Sequence, residues 1–350
     1  MSFLRIPQLL FRPVPGFLIL FGGGTAGGYA YRSYATQDEH SGALNQHDFS
    51  PYTLVSKKPA SSTSSIFTLR PRYTDDDSKS LVQQACRKGI WSVQAKQPQL
   101  QIARSYTPLP STAEDLEFHD ELRLLIRREK SGEVSNYLHK LPEGTTVNLR
   151  GPFLELEIPK NATEVLFLAG GTGIAPALQV AKLLEERTDM KVHILWANRR
   201  REDCVGGKSD IQHLPPSGLL SGFKGIFGSP QTSSASLATP ERVYEVSMVQ
   251  EINKLKSRIR SGSLAVEYFV DEEGKFIKDS NVLQHVQHLA KEDVASPRSQ
   301  GEKYILVSGP DGFIKHLAGE KVWVGGREAQ GPLGGLLSKM HLPGWKIIKL

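Results

Sequence analysis

Three short groups of residues in this sequence combine types and spacings that suit phosphate-bearing ligands. The first is Gly-Gly-Thr-Gly at 170–173, which follows an apolar segment at 165–169 and precedes a helical pattern at 177–184. Glycines let the backbone approach a ligand closely, and the free N–H groups at a helix start attract anions. The group predicts a phosphate cradle between a buried strand and a helix. An ordinary strand-to-helix turn is the alternative, because the Gly-x-Gly-x-x-Gly spacing and a P-loop lysine are both missing.

The second group, Arg-Ser-Tyr-Thr at 104–107, ends a strand-like segment. The planar guanidinium of Arg104 could grip a pyrophosphate through two parallel hydrogen bonds. Tyr106 could cover a ring system, and the hydroxyl of Thr107 could reach a ring nitrogen. A surface arginine beside a tyrosine at a strand end explains the same residues without any ligand.

The third group, Gly132 to Ser135, opens a short helical pattern at 134–140. Ser135 is expected to be the N-cap of this helix, and the helix start would then form a second anion site. A simple cap with no bound anion is the alternative.

The composition excludes several classes of protein. Apolar residues make up 39% of the 350 residues and charged residues 23%, as in a soluble globular body. The net charge is +6, and three of these positive charges are arginines within 1–37, where no acidic residue occurs. The remainder is too weakly basic to indicate nucleic-acid binding. The two cysteines, Cys86 and Cys204, are too few for a disulfide framework, and no metal-ligand cluster is visible.

Short alternating segments before residue 152 predict an antiparallel β-barrel. Turn-forming residues separate them, and the helix at 134–140 interrupts them. The predicted strands are 52–56, 65–69, 91–96, 100–104, 122–127 and 147–150.

After residue 152 strands alternate with helices, which predicts a parallel α/β sheet. The predicted strands are 165–169, 191–197, 264–270 and 303–308. The Gly-, Ser- and Pro-rich stretch 206–241 is too long for an ordinary connection and predicts an inserted surface loop. The amphipathic pattern at 241–260 predicts a helix that either faces the core or binds a partner or a membrane surface.

The N-terminal segment has the composition of a targeting sequence followed by a membrane anchor. Residues 1–13 contain arginines without acids, as in a mitochondrial targeting segment. Residues 14–31 carry no charge and are just long enough to span a bilayer as a transmembrane anchor. Residues 38–50 are polar and predict a linker. A cleaved presequence and a secretory signal are the alternatives, although the lack of paired cysteines argues against secretion.

Taken in order, the motifs resemble those of the ferredoxin-reductase-like flavoenzymes, and in particular the NADH–cytochrome b5 reductase branch. The order is Arg-x-Tyr-Thr, Gly-x-x-Ser, Gly-Pro at 151–152, Gly-Gly-Thr-Gly-Ile-Ala-Pro at 170–176 and Ser-Gly-Pro at 308–310. The resemblance extends over roughly residues 50–320. It implies an FAD-binding β-barrel at 51–152, followed by an NAD(P)-binding α/β domain at 160–350.

The resemblance also implies roles for individual residues. Those that it places at FAD are Arg104, Ser105, Tyr106, Thr107, Gly132, Val134 and Ser135. Those that it places at the nicotinamide nucleotide are Gly171, Thr172, Gly173, Asp271, Ser308, Gly309 and Pro310. Within this set, Thr107, Thr172 and Ser308 would lie nearest to the reacting atoms.

The preferred nucleotide is only weakly indicated. A carboxylate at Asp271 favours NADH, because the 2′-phosphate of NADPH would meet like charge there. Three consecutive arginines at 199–201 argue for NADPH. NADH is therefore the slightly favoured donor.

Two features depart from the family pattern. The last motif of the family usually begins with a cysteine beside the reacting nicotinamide carbon, whereas this chain has Ser308. The smaller, less polarizable serine predicts slower hydride transfer or a partly disused nucleotide site. The chain also continues well beyond this motif, through a Gly-rich stretch and a final segment at 344–350.

The N-terminal segment, the insertion and the C-terminal extension together are similar to fungal mitochondrial cytochrome c import factors. That resemblance implies an inner-membrane flavoprotein whose catalytic domains lie in the intermembrane space and which reduces haem for attachment to cytochrome c. The predicted function is electron transfer from NADH or NADPH through FAD to haem or a haem protein. A flavin-containing assembly or scaffold factor with little turnover, or a cytochrome b5 reductase on another membrane, are the alternatives.

Overall fold

The computed structural model describes residues 43–111, 120–211, 247–286 and 301–350. From Ala43 onward the chain forms one unit. The predicted targeting segment 1–13 and anchor 14–31, and most of the predicted insertion 206–241, lie outside the described residues. Across the four described ranges, no helix is both long enough and apolar enough to cross a membrane.

The first half of the described chain is an antiparallel sheet of six strands in the order β4-β3-β6-β1-β2-β5. The strands are β1 Ser50–Pro59, β2 Ser64–Pro71, β3 Gly89–Gln97, β4 Ile102–Tyr106, β5 Leu122–Arg127 and β6 Thr146–Glu157. An isolated bridge between Pro108 and Leu124 links the chain after β4 to β5. The sheet is therefore a half-barrel, which confirms the predicted antiparallel architecture. β6 continues to Glu157, so the predicted domain boundary at 152 falls inside this strand.

Two helices belong to the half-barrel, α1 Asp76–Lys88 and α2 Glu133–Lys140. The sequence analysis predicted only the second. The signal for α1 is a capping box in which the Asp75 carboxylate accepts from the backbone N–H of Ser78, at 2.7 Å. Leu44, within the predicted linker, is buried in the core of the half-barrel.

The second half is a parallel sheet of five strands in the order β13-β10-β7-β8-β9. Its elements are β7 Ala162–Gly170, α3 Ile174–Lys182, β8 Lys191–Asn198, α4 Met248–Lys256, β9 Leu264–Val270, β10 Glu302–Ser308, α5 Asp311–Ala318 and β13 Trp345–Lys349. A small hairpin, β11 Val322–Val324 and β12 Arg327–Ala329, precedes β13, and residues 279–286 are also helical. Short 3₁₀ turns lie at Gly171–Gly173, Leu183–Glu185, Arg201–Cys204, Asp271–Glu273 and Leu337–Lys339.

The parallel sheet confirms the α/β prediction, and β13 adds a strand that was not predicted. β13 pairs with β10 in parallel, with Val307 opposite Lys349. α4 lies within the amphipathic segment 241–260. Its residues Met248, Val249, Ile252 and Leu255 are buried, so the described part of this segment is a core-facing helix.

One hydrophobic cluster contains residues of both sheets. Ile66, Ile90 and Leu125 of the half-barrel belong to the same buried cluster as Ile174 and Leu178 of α3. A continuous apolar core between the sheets holds the loops that carry the predicted motifs at a constant separation, because buried side chains interdigitate at near-crystalline density.

Candidate functional site

The glycine run follows β7, and the 3₁₀ turn that it forms leads directly into α3. Gly171 has φ of +53°, a left-handed conformation that favours glycine. The indole Nε1 of Trp196 donates to the carbonyl oxygen of Gly171 at 2.9 Å and so fixes the turn from β8. A side chain at Gly173 would collide with the backbone of Ser308. The close packing of these two loops therefore brings the Thr172 and Ser308 segments together, as the resemblance requires.

A cleft of about 340 Å³ opens at the carboxyl ends of β7, β8 and β9. The predicted residues that line it are Gly171, Asp271 and Pro310, and Gly309 lies in the loop just before α5. Its other lining residues are Arg127, Gly170, Ala197, Asn198, Arg199, Phe276, Ile277, Gly312, Phe313, His316 and Leu317. Crevices at this edge of a parallel sheet bind nucleotides, because helix N-termini and loop N–H groups converge there.

Two polar residues of the cleft, Arg127 and Asn198, are not among the site residues predicted from the sequence. Arg127 ends β5 of the half-barrel and is 17% exposed, and its Nη1 lies 3.4 Å from the position that a Cβ on Gly171 would take. Its nearest ion-pair partner, Glu129, is 4.0 Å away and exposed. Asn198 ends β8 and is buried. The signals in the sequence are that Arg127 ends the predicted strand 122–127 and that Asn198 directly follows the predicted strand 191–197.

The Arg-Ser-Tyr-Thr group occupies the end of the edge strand β4. Arg104 lies opposite Ala95, Ser105 opposite Gln94 and Tyr106 opposite Val93. Since side chains alternate along a strand, Arg104 and Tyr106 share one face of β4 and Ser105 points to the other. Arg104 is exposed, and its Nη1 donates to the carbonyl oxygen of Ala103 at 3.0 Å. Burial raises the pKa of Tyr106 to about 12, so its phenol is neutral at physiological pH.

The start of α2 corrects one prediction. The N-cap is Gly132, not Ser135, because α2 begins at Glu133. Ser135 lies in the first turn, where its hydroxyl accepts from the N–H of Glu129 at 3.1 Å and donates to the carbonyl oxygen of Gly132 at 3.1 Å. Val134 is 1% exposed, so its side chain packs in the core and only its backbone is available at the helix start. With no side-chain cap at Gly132, the N–H groups of this turn are free to meet an anion.

The three consecutive arginines have different partners. Arg201 forms a two-bond ion pair with Glu273, at 2.5 and 2.7 Å, and this pairing lowers the pKa of the Glu273 carboxyl to about 2. Arg200 lies 3.3 Å from Glu202. Arg199 and Asp271 are both exposed and line the cleft. Of the three consecutive arginines, Arg199 alone lines the cleft, where it lies with the Asp271 carboxylate.

The described residues fit the two predicted cofactors in separate ways. On the half-barrel, the exposed Arg104, the partly buried Tyr106 and the uncapped start of α2 suit a flavin nucleotide. The cleft, with Arg127 and the glycine turn, suits a second, diphosphate-bearing nucleotide. A cavity of about 470 Å³, larger than the cleft, lies elsewhere, beside Tyr52 and Asp120, and none of the predicted site residues lines it. Cavity size alone is therefore a poor guide to the site in this fold.

Comparison with known proteins identifies both domains. Residues 51–158 match the oxidoreductase FAD-binding domain, and residues 167–210 match the oxidoreductase NAD-binding domain. Full-length CYP116B46 from Tepidiphilus thermophilus has the same fold over 88% of this chain and 29% of its own, with a TM-score of 0.50 and 14% identity.

Three curated relatives illustrate the range of similarity. An uncharacterized FAD-binding protein of Schizosaccharomyces pombe is 32% identical over 48% of this chain and 58% of its own length. The cytochrome c mitochondrial import factor CYC2 of Saccharomyces cerevisiae is 23% identical over 90% of this chain and 87% of its own. NADH-cytochrome b5 reductase 1 of Aspergillus clavatus is 29% identical over 58% of this chain and 66% of its own. The matched segment thus spans less than two thirds of the first and third relatives.

The two domain matches cover the half-barrel and the first part of the parallel sheet, respectively. They confirm FAD and a nicotinamide nucleotide as the cofactors for which the domains are built. The chain thus contains an oxidoreductase FAD-binding domain and an oxidoreductase NAD-binding domain in a ferredoxin-reductase-like fold, and it is homologous to cytochrome b5 reductases and to CYC2.

Proposed function

We propose that this protein oxidises a reduced nicotinamide nucleotide in the cleft and passes the electrons through FAD to a haem-type acceptor. The observation that carries the proposal is the contact between the Gly173 and Ser308 loops beside Arg127. Arg127 of the half-barrel lines the cleft beside the glycine turn, which supports the proposal that a nicotinamide and a flavin ring would meet there. FAD supplies the redox chemistry, accepting a hydride and releasing single electrons.

The protein's own residues bind and orient the two ligands. Arg104 would bind the FAD pyrophosphate, while Tyr106 and Thr107 would contact the flavin. The backbone of the turn from Gly132 to Ser135 would bind FAD phosphates, because it begins a helix that has no side-chain cap. Ser105, whose side chain lies on the opposite face of β4, would contribute through its backbone.

In the cleft, the glycine turn would approach the nucleotide through its backbone. Thr172 and Ser308 would border the nicotinamide, and Gly309 and Pro310 would shape the loop beside it. Asp271 would accept hydrogen bonds from the hydroxyls of the adenosine ribose. We expect NADH to be the better donor, because Arg201 is already paired with Glu273 and only Arg199 remains beside Asp271 in the cleft.

The cellular setting belongs to the same proposal. Residues 1–13 would direct the protein to mitochondria, and residues 14–31 would anchor it in the inner membrane with 51–152 and 160–350 as its FAD and nucleotide domains. The intermembrane space and the attachment of haem to cytochrome c are the proposed location and role. The support is the similarity to CYC2 over 90% of this chain, since the name of that protein connects it with mitochondrial import of cytochrome c.

The test is an anaerobic absorbance spectrum of the full chain in detergent, before and after NADH and then NADPH. A yellow protein that bleaches within seconds supports the reductase, and the ratio of the two rates names the donor. A yellow protein that stays yellow with both donors contradicts it and favours the scaffold alternative. The matched variant Ser308→Cys is expected to bleach faster than the wild type. A protein that binds no FAD would refute the flavoprotein assignment itself.

A further inference from the structure

Asn198 is a buried amide without a partner. It ends β8 and is 3% exposed, and neither its Nδ2 nor its Oδ1 has a hydrogen-bond partner among the described residues. Most buried polar atoms are paired, because an unpaired buried amide forfeits the hydrogen bonds it would make with water. An amide that lacks both a donor and an acceptor partner is therefore typical of a side chain that is completed by a ligand.

The position of Asn198 indicates where that ligand lies. Asn198 lines the nucleotide cleft, and it also lines a smaller gap that is bordered by Thr172. Arg127 and Gly171 line both spaces as well. Asn198 thus belongs to the part of the cleft nearest to the half-barrel. Asp271 lines only the larger space.

The hydrogen-bonding capacity of the amide indicates which chemical group of the nucleotide it binds. A diphosphate at neutral pH only accepts hydrogen bonds, and it would leave the Oδ1 acceptor of Asn198 unpaired. The guanidinium of Arg127 and the free N–H groups at the start of α3 are pure donors, and they suit a diphosphate. A sugar hydroxyl both donates and accepts, so it satisfies both atoms of the amide at once. Exchange of the amide oxygen and nitrogen does not affect this argument, because both are unpaired.

We propose that Asn198 is a positioning residue that binds a hydroxyl of the ribose on the nicotinamide side of the donor nucleotide. The inference rests on the proposed function and assigns one contact within it. Asn198 and Arg127 would then hold the nicotinamide half, and Asp271 would hold the adenosine half. This division assigns the two ends of the cleft to the two riboses.

The experiment compares the wild type with Asn198→Leu, which replaces the amide with an apolar group of similar size. Anaerobic stopped-flow measurement gives the Kd of the donor and the limiting rate of flavin reduction. The donors are NADH and reduced nicotinamide mononucleotide, which lacks the adenosine half. We expect Asn198→Leu to raise the Kd of both donors about tenfold, as for a lost hydroxyl–amide contact in a site that excludes water. The limiting rate should stay within about twofold, because the contact orients the sugar and does not take part in hydride transfer.

The control is Asp271→Ala, which should raise the Kd of NADH but leave the Kd of the mononucleotide unchanged. Thermal unfolding of the FAD-loaded protein without nucleotide adds a second measurement. Asn198→Leu should have an unchanged or higher Tm, since it removes two unpaired buried atoms. A lower Tm with an unchanged Kd would show a purely structural amide and overturn the proposal.

The remaining outcomes also decide the matter. An unchanged Kd for the mononucleotide, with a raised Kd for NADH alone, would move Asn198 to the adenosine side and refute the assignment. A wild type that neither donor reduces would refute the proposed function, and the ribose contact with it. If Asn198→Leu loses its FAD, the smaller Asn198→Ala is measured with the same donors, and the same increase in Kd is expected.

Discussion

Gln179 of α3 joins the two sheets by hydrogen bonds that can be tested directly. It is 5% exposed. Its Oε1 accepts from the backbone N–H of Trp91 at 2.9 Å, and its Nε2 donates to the carbonyl oxygen of Pro108 at 2.8 Å. The pairing of β3 with β6 shifts register between Ile90 and Trp91, and the amide meets the N–H at this irregularity. Pro108 directly follows Thr107, so the same side chain ties the Arg-Ser-Tyr-Thr group to the helix that follows the glycine turn.

The perturbation is Gln179→Leu, which keeps the side-chain size and removes both hydrogen bonds. Trp91 and Pro108 are buried, so one N–H and one carbonyl group lose their partner without gaining water. At roughly 1–3 kcal/mol for each unpaired buried group, we expect a loss of about 3 kcal/mol of unfolding free energy. In a chain of this size that corresponds to a decrease of roughly 6 °C in Tm. Calorimetry of the FAD-loaded protein measures it.

Two further variants make this prediction decisive. Gln84→Leu on the exposed face of α1 is the matched control, and it should stay within about 0.5 kcal/mol of the wild type. Gln179→Glu should be more stable relative to the wild type at pH 5 than at pH 8. Burial raises the pKa of such a carboxyl above its unfolded value, so its stabilising protonated form is lost as pH rises through the folded pKa. If Gln179→Leu has the same Tm as the Gln84→Leu control, the two hydrogen bonds of Gln179 do not stabilise this junction.

Four further predictions concern the cleft and the C-terminal region. Glu273→Gln should release Arg201 and raise kcat/KM for NADPH relative to NADH, measured by steady-state kinetics with both donors. The Arg201–Glu273 pair should contribute its full stability above pH 4.5, the usual pKa of a glutamate. This contribution should be lost as the pH falls toward the folded pKa of about 2. Acid unfolding of the wild type and of Glu273→Gln measures the difference. Arg127→Met should raise the Kd of NADH about tenfold at low salt and less at high salt, whereas Arg127→Lys should retain part of the affinity, as stopped-flow titrations would show. Lys349→Met should lower the free energy of unfolding by about 3 kcal/mol, as thermal unfolding would show. The reason is that the buried ammonium donates to the carbonyl oxygens of Glu320 and Pro332, at 2.9 and 3.0 Å. An unchanged Tm would contradict this.

The strands and the motif loops could be predicted because their signals are local. The alternation of buried residues at the start of β1 and the continuous apolar run of β7 each specify a strand from a few consecutive residues. The helix α1 was missed, because its capping box lacks the usual glutamate and its few buried residues give little apolar periodicity. Ser135 was predicted as the N-cap, but it lies three residues after the actual N-cap, Gly132. A serine is favoured both as an N-cap and within the first turn, and only the backbone dihedrals distinguish the two positions.

The sequence by itself determined the order of the domains and the motifs that would carry a flavin and a nucleotide. Those motifs are runs of adjacent residues, and the ligands that glycines, arginines and hydroxyl side chains can bind are predicted without knowledge of the neighbouring strands. Only the tertiary structure decided that Arg127 of the half-barrel and Asn198 of β8 border the same cleft. It also decided that Arg201 is occupied by Glu273. The physical reason is that a charge or an amide takes its role from the nearest groups in space, and these groups are far apart along the chain. Arg127 and Asn198 are 198 − 127 = 71 residues apart, and Arg201 and Glu273 are 72 residues apart.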